Sequence, residues 1–119
     1  VKRLKDMYDL REHKELISQL VSEANQNDEN WRWSVKSVGK TKARIFWSYL
    51  EYCGQPEPYF AIELEDTGDG YWIHALDERD SYIESEIVVD NDLPFLNCPL
   101  DKAIEKMVRC IINTAHACY

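Results

Sequence analysis

The chain has 119 residues and a formal charge of −8, from 14 Lys and Arg against 22 Asp and Glu. With 45% apolar and 30% charged residues it reads as an ordinary globular domain, which excludes collagen, a coiled coil or wholesale disorder. No run of about 18 apolar residues is available to span a bilayer, and the net charge excludes a strongly basic nucleic-acid binder.

Residues 3–24 carry Leu4, Met7, Leu10, Ile17, Leu20, Val21 and Ala24 at roughly helical spacing, which predicts an amphipathic helix. The polar stretch 25–30 ends it. The period then changes to two: Trp31, Trp33 and Val35 alternate with Arg32, Ser34 and Lys36, as in a strand with one buried face. Gly39-Lys40 is the expected turn into a second, aromatic-rich strand over 43–53, and the Gly54–Pro58 stretch breaks it. A third strand, Tyr59–Glu65, sends Phe60, Ile62 and Leu64 to one face and Ala61, Glu63 and Glu65 to the other. Asp66–Gly70 reads as a hairpin turn rather than a calcium loop, because it lacks the calcium-loop spacing. Tyr71–Leu76 is a fourth strand and 82–89 a shorter fifth. After a loop at 90–94, a last helix starts near Pro99, capped by Asn97 or Cys98, with Leu100, Ala103, Ile104, Met107, Val108, Ile111, Ile112 and Ala115 as its stripe.

The expected fold is α+β, with residues 1–119 as one domain. Four or five antiparallel strands form a meander, flanked by an N-terminal and a C-terminal helix packed on one face. The cysteines Cys53, Cys98, Cys110 and Cys118 form no C-x-x-C pair, and we read them as reduced thiols of a cytoplasmic protein. No histidine pair has metal-ligand spacing, so no metal and no cofactor are expected. Val1 stands where an initiator Met would, which leaves room for a longer protein.

Charge is the least ordinary feature. Residues 1–47 hold ten basic and seven acidic residues; residues 48–119 hold four and fifteen. Glu63 and Glu65, like Glu84 and Glu86, are two apart in a strand, which sets each pair on one face roughly 6.7 Å apart. With Asp77, Glu78 and Asp80 they make a row of negative charge, and Tyr82 lies among them. Such a field favours a protein partner with a basic surface and opposes direct nucleic-acid contact. The seven tyrosines supply interface anchors. In size, charge and layout, though not in any motif, the chain is similar to small acidic inhibitors of the anti-CRISPR and anti-restriction kind, and to immunity proteins that neutralise nuclease toxins. That similarity implies a non-enzymatic protein occluding a nucleic-acid-handling surface, through Glu63, Glu65, Asp77, Glu78, Asp80, Tyr82, Glu84 and Glu86. Two alternatives stand beside it. One is a dimeric module similar to secretion chaperones. The other is a small enzyme using Cys53 and His74 with Asp77 as orienter.

Overall fold

The computed structural model describes residues 8–26, 31–49, 59–90 and 98–118. The expectations for Leu4, Met7, Cys53, the 54–58 break and the Asn97 cap lie outside them. The fold is α+β. Five strands, β1 (Trp31–Val38), β2 (Lys42–Tyr49), β3 (Tyr59–Asp66), β4 (Gly70–Leu76) and β5 (Tyr82–Asp90), pair antiparallel in the order β1-β2-β3-β4-β5. Sequential antiparallel pairing through short connections is a meander.

The N-terminal helix starts later than its spacing predicts. Asp9 adopts an extended backbone (φ −134°, ψ 115°) and accepts the Arg11 amide at 2.9 Å. This cap opens a 3-10 turn at Leu10–His13, and α1 follows at Lys14–Gln26. The C-terminal helix α2 runs Leu100–Cys118. Both helices pack on one face of the sheet, α1 against β1, α2 against β4 and β5, and each against the other. Their buried faces are Ile17 and Val21 from α1 and Ala103, Ile104, Met107, Val108, Ile111 and Ala115 from α2. These meet Trp33, Ala43, Ile45, Trp47, Phe60, Ile62, Leu64, Ile73 and Ala75 from the sheet.

The sheet edges and turns are closed by local chemistry. The Asn25 side chain accepts the Trp33 amide at 2.6 Å and donates to its carbonyl at 2.7 Å. It thereby replaces a neighbouring strand on the open edge of β1. In the β3–β4 hairpin the Asp66 carboxylate accepts the Gly68 amide at 2.8 Å, and Gly68 takes φ +88°. Two facts fix Gly70: it enters β4 directly, and a Cβ there would overlap the Val89 carbonyl oxygen. Among the described residues no helix is long and apolar enough to cross a membrane.

Candidate functional site

The face of the sheet turned away from the helices is where the unassigned chemistry lies. Register and burial together identify its side chains. On β3 it carries Tyr59, Ala61, Glu63 and Glu65; on β4, Trp72, His74 and Leu76; on β5, Tyr82, Ser85 and Ile87. Ala61 and Leu76 are buried yet stand apart from the helix-side core.

His74 is the centre of this face and only 6% exposed. Its ring stacks on Tyr82 with centroids 4.0 Å apart and planes 3° from parallel, and lies 6.4 Å and 9° from Trp72 on the other side. Nε2 is 2.9 Å from Glu65 Oε2, and Nδ1 is 2.6 Å from Ser85 Oγ. An ionised carboxylate can only accept, so Nε2 carries the proton; in the neutral ring Nδ1 then accepts from the Ser85 hydroxyl. Tyr82 and Trp72, at 54% and 36% exposure, stand out of the face on either side of this buried ring. Loss of solvent around the Tyr82 phenol holds its pKa above the ordinary value, and the charges of Glu63 and Glu65 push the same way.

The other half of the face, on β1 and β2, is basic. Register places Arg32, Arg44 and Lys42 on the outer side, and a bulge at Lys36 turns that side chain out as well. The Lys36 ammonium lies 5.4 Å from the Phe46 ring centroid and the Arg44 guanidinium 5.8 Å from that of Tyr59. Phe46 and Tyr59 lie 5.6 Å apart. At the seam of the two halves Lys42 Nζ is 3.5 Å from Asp80 and 3.9 Å from Glu63.

The acidic residues expected to form one row are divided. Glu63 and Glu65 point to the outer face, with Tyr82. Glu84 and Glu86 sit opposite Ala75 and Ile73, on the helix side, where Lys106 of α2 contacts Glu86 at 2.5 Å. That bond holds the Lys106 pKa above its ordinary value. The cause is a bulge: two residues of β5, Glu84 and Tyr82, oppose adjacent Ala75 and Leu76, leaving Ile83 unpaired. One extra residue reverses the facing of the strand from Glu84 to Ile87, where a second bulge at Val88 follows. Asp77, Glu78 and Asp80 belong to the β4–β5 turn. The Asp77 carboxylate accepts the amides of Arg79 and Ser81 there, both at 2.9 Å, and Asp80 takes φ +60°.

Asp77 is therefore a turn cap and does not orient His74, whose two ring nitrogens are engaged by Glu65 and Ser85. Cys53 lies outside the described residues; Cys98 and Cys110 are free thiols. Among the described residues no group of three or more His, Cys, Asp or Glu is placed to hold a metal ion. Ser85, His74 and Glu65 do make a continuous hydroxyl–imidazole–carboxylate chain, able to pass a proton along it. Sequence reading missed Trp72, Ser85 and the Lys36–Phe46 and Arg44–Tyr59 pairs. The signal available for Trp72 was its parity with His74 and Leu76, opposite to Tyr71 and Ile73.

Comparisons of the chain with protein families, with curated proteins and with solved structures find no match.

Proposed function

We propose that this is a non-enzymatic binding protein whose outer sheet face docks a protein partner through that partner's basic surface. The observation that carries the reading is the exposed Trp72 and Tyr82 pair, set on a buried, doubly hydrogen-bonded His74 and flanked by Glu63 and Glu65. The solvated face of an antiparallel sheet is ordinarily polar. Here rigid aromatic anchors stand beside carboxylates, the combination suited to a partner bearing Lys or Arg: the rings give contact area and cation–π attraction, and the carboxylates steer association. An inhibitor that occludes a nucleic-acid-handling surface is one protein of this kind, and Glu63, Glu65, Asp80 and Tyr82 are its contact residues. Glu84 and Glu86, turned toward α2, are not part of that surface.

The test is affinity capture from lysate with three forms of the chain: wild type, Trp72→Ser/Tyr82→Ser, and the helix-side control Lys102→Ala/Asn113→Ala. The reading expects wild type and control to retain one protein with a basic surface, weakened at high salt, and the face variant to lose it. Equal capture by the face variant overturns it. So does labelling of Ser85 by a fluorophosphonate in wild type and not in His74→Ala, which would instead make Ser85 a nucleophile activated by His74.

A further inference from the structure

We propose that the partner residue this face selects is an arginine, its guanidinium flat on the outward side of the Tyr82 ring and its fork on the Glu63 carboxylate. The inference rests on the docking function above and names the side chain that docking recognises. It starts from how the face treats its own aromatic rings. Phe46 and Tyr59 each carry a cation of this chain, Lys36 at 5.4 Å and Arg44 at 5.8 Å from the ring centroids. Trp72 and Tyr82 are the exposed large rings, and among the described residues neither carries one. Of the two, Tyr82 is the better seat. His74 covers one side of its ring, 4.0 Å away and 3° from parallel, so its 54% exposure belongs to the other side and the edge. The same stack holds the ring still, because His74 is buried and bonded to both Glu65 and Ser85. A ring fixed beforehand loses little freedom on binding.

Glu63 completes the seat. Register sets it directly across from His74, the ring under Tyr82, and its charge reaches the Tyr82 phenol. Glu65 already accepts the His74 Nε2 proton at 2.9 Å. Glu63 accepts no hydrogen bond among the described residues: Lys42 Nζ stands 3.9 Å off and is shared with Asp80 at 3.5 Å. Its oxygens are therefore open to a donor from outside. A guanidinium is flat, stacks on an aromatic face and offers paired N–H donors that match a carboxylate. An ammonium is a compact, strongly hydrated point charge with no flat face and no fork. A carboxylate row alone would take either cation. A fixed ring beside an open carboxylate favours arginine.

The experiment is isothermal titration calorimetry of the full chain with two amidated peptides of equal charge, tetra-arginine and tetra-lysine, in one buffer at neutral pH. Equal charge cancels the pull of the acidic chain as a whole, so the ratio of the two affinities reads the seat. Wild type is expected to bind tetra-arginine at least about fivefold more tightly than tetra-lysine. Tyr82→Leu keeps an apolar cover on His74 and removes the ring face; Glu63→Gln keeps the shape and removes the charge. Each should bring the ratio below about twofold. Circular dichroism checks that both fold, and either variant alone suffices for the test. Equal affinity of wild type for the two peptides, no binding of either, or a ratio that survives in a folded variant overturns the proposal. The docking function is read separately, by the capture experiment above. Capture lost in Trp72→Ser/Tyr82→Ser, together with equal peptide affinities in wild type, sinks the arginine seat alone. Equal capture by that variant sinks the docking function instead.

Discussion

The outer face depends on His74, and two substitutions separate what holds it. His74 is buried, stacked on Tyr82 at 4.0 Å and bonded to Glu65 and Ser85 at 2.9 and 2.6 Å. A hydrogen bond to a charged group contributes about 1.5–3 kcal/mol and one between neutral groups about 0.5–1.5 kcal/mol. His74→Phe keeps the ring stack and abandons both bonds. Because Glu65 is about half exposed and can turn to water, the loss should fall near the low end, about 1–2 kcal/mol. His74→Ala loses the ring as well. The stacking term of about 0.5–1.5 kcal/mol and the void under Tyr82 raise the cost to about 2.5–4 kcal/mol. Urea unfolding followed by tryptophan fluorescence reads both. With a slope of about 1–3 kcal/mol per molar urea, His74→Ala should lower the midpoint by at least about 1 M, and His74→Phe by roughly half as much. Equal destabilisation by the two variants, or less than about 0.5 kcal/mol from His74→Ala, would refute the stacked arrangement.

Three further outcomes are expected from the geometry. Gly70→Ala places a methyl group on the Val89 carbonyl and should cost at least about 2 kcal/mol, measured as a fall in the thermal midpoint; a neutral result would mean β5 is free to move. Lys106→Ala removes an exposed pair with Glu86 and should change the urea midpoint by the equivalent of less than about 1 kcal/mol. The Arg11 side chain, through its hydrogen bond, holds the Asp9 carboxyl below its ordinary value of 3.8. The folded pKa is thus the lower one, so this contribution is complete above the unfolded value and lost as pH falls through the folded one. Wild type should therefore exceed Asp9→Asn by a constant margin near neutral pH, shrinking on acidification below 3.8; a margin that does not change with pH would remove the ion pair from the account.

Much of the architecture was legible because period-two runs separated by Gly, Pro and Asp turns leave few alternatives to a meander. The late start of α1 was not, since Asp9 reads equally well as a helix residue or as a cap, and only its bonds to Arg11 decide. Half of the site was legible on β3, where Phe60, Ile62 and Leu64 force Glu63 and Glu65 outward. The other half was not. Glu84 and Glu86 repeat the same spacing, but the bulge at Ile83 turns them toward the cations of α2. A bulge is set by pairing with the next strand, so alternation along β5 alone carries no trace of it. His74 was legible as a residue of the fourth strand, but its stacking between Trp72 and Tyr82 depends on the register between β4 and β5.

The central claim is that the outer face is a covered surface when the protein is at work. Hydroxyl-radical footprinting of the full chain measures that residue by residue. Oxidation of Trp72 and Tyr82 should fall as rising concentrations of partner are added, while Leu20 and Ile112 on the helices stay unchanged. Full reactivity of Trp72 and Tyr82 under all of these conditions would contradict it, and leave the face as a solvated surface.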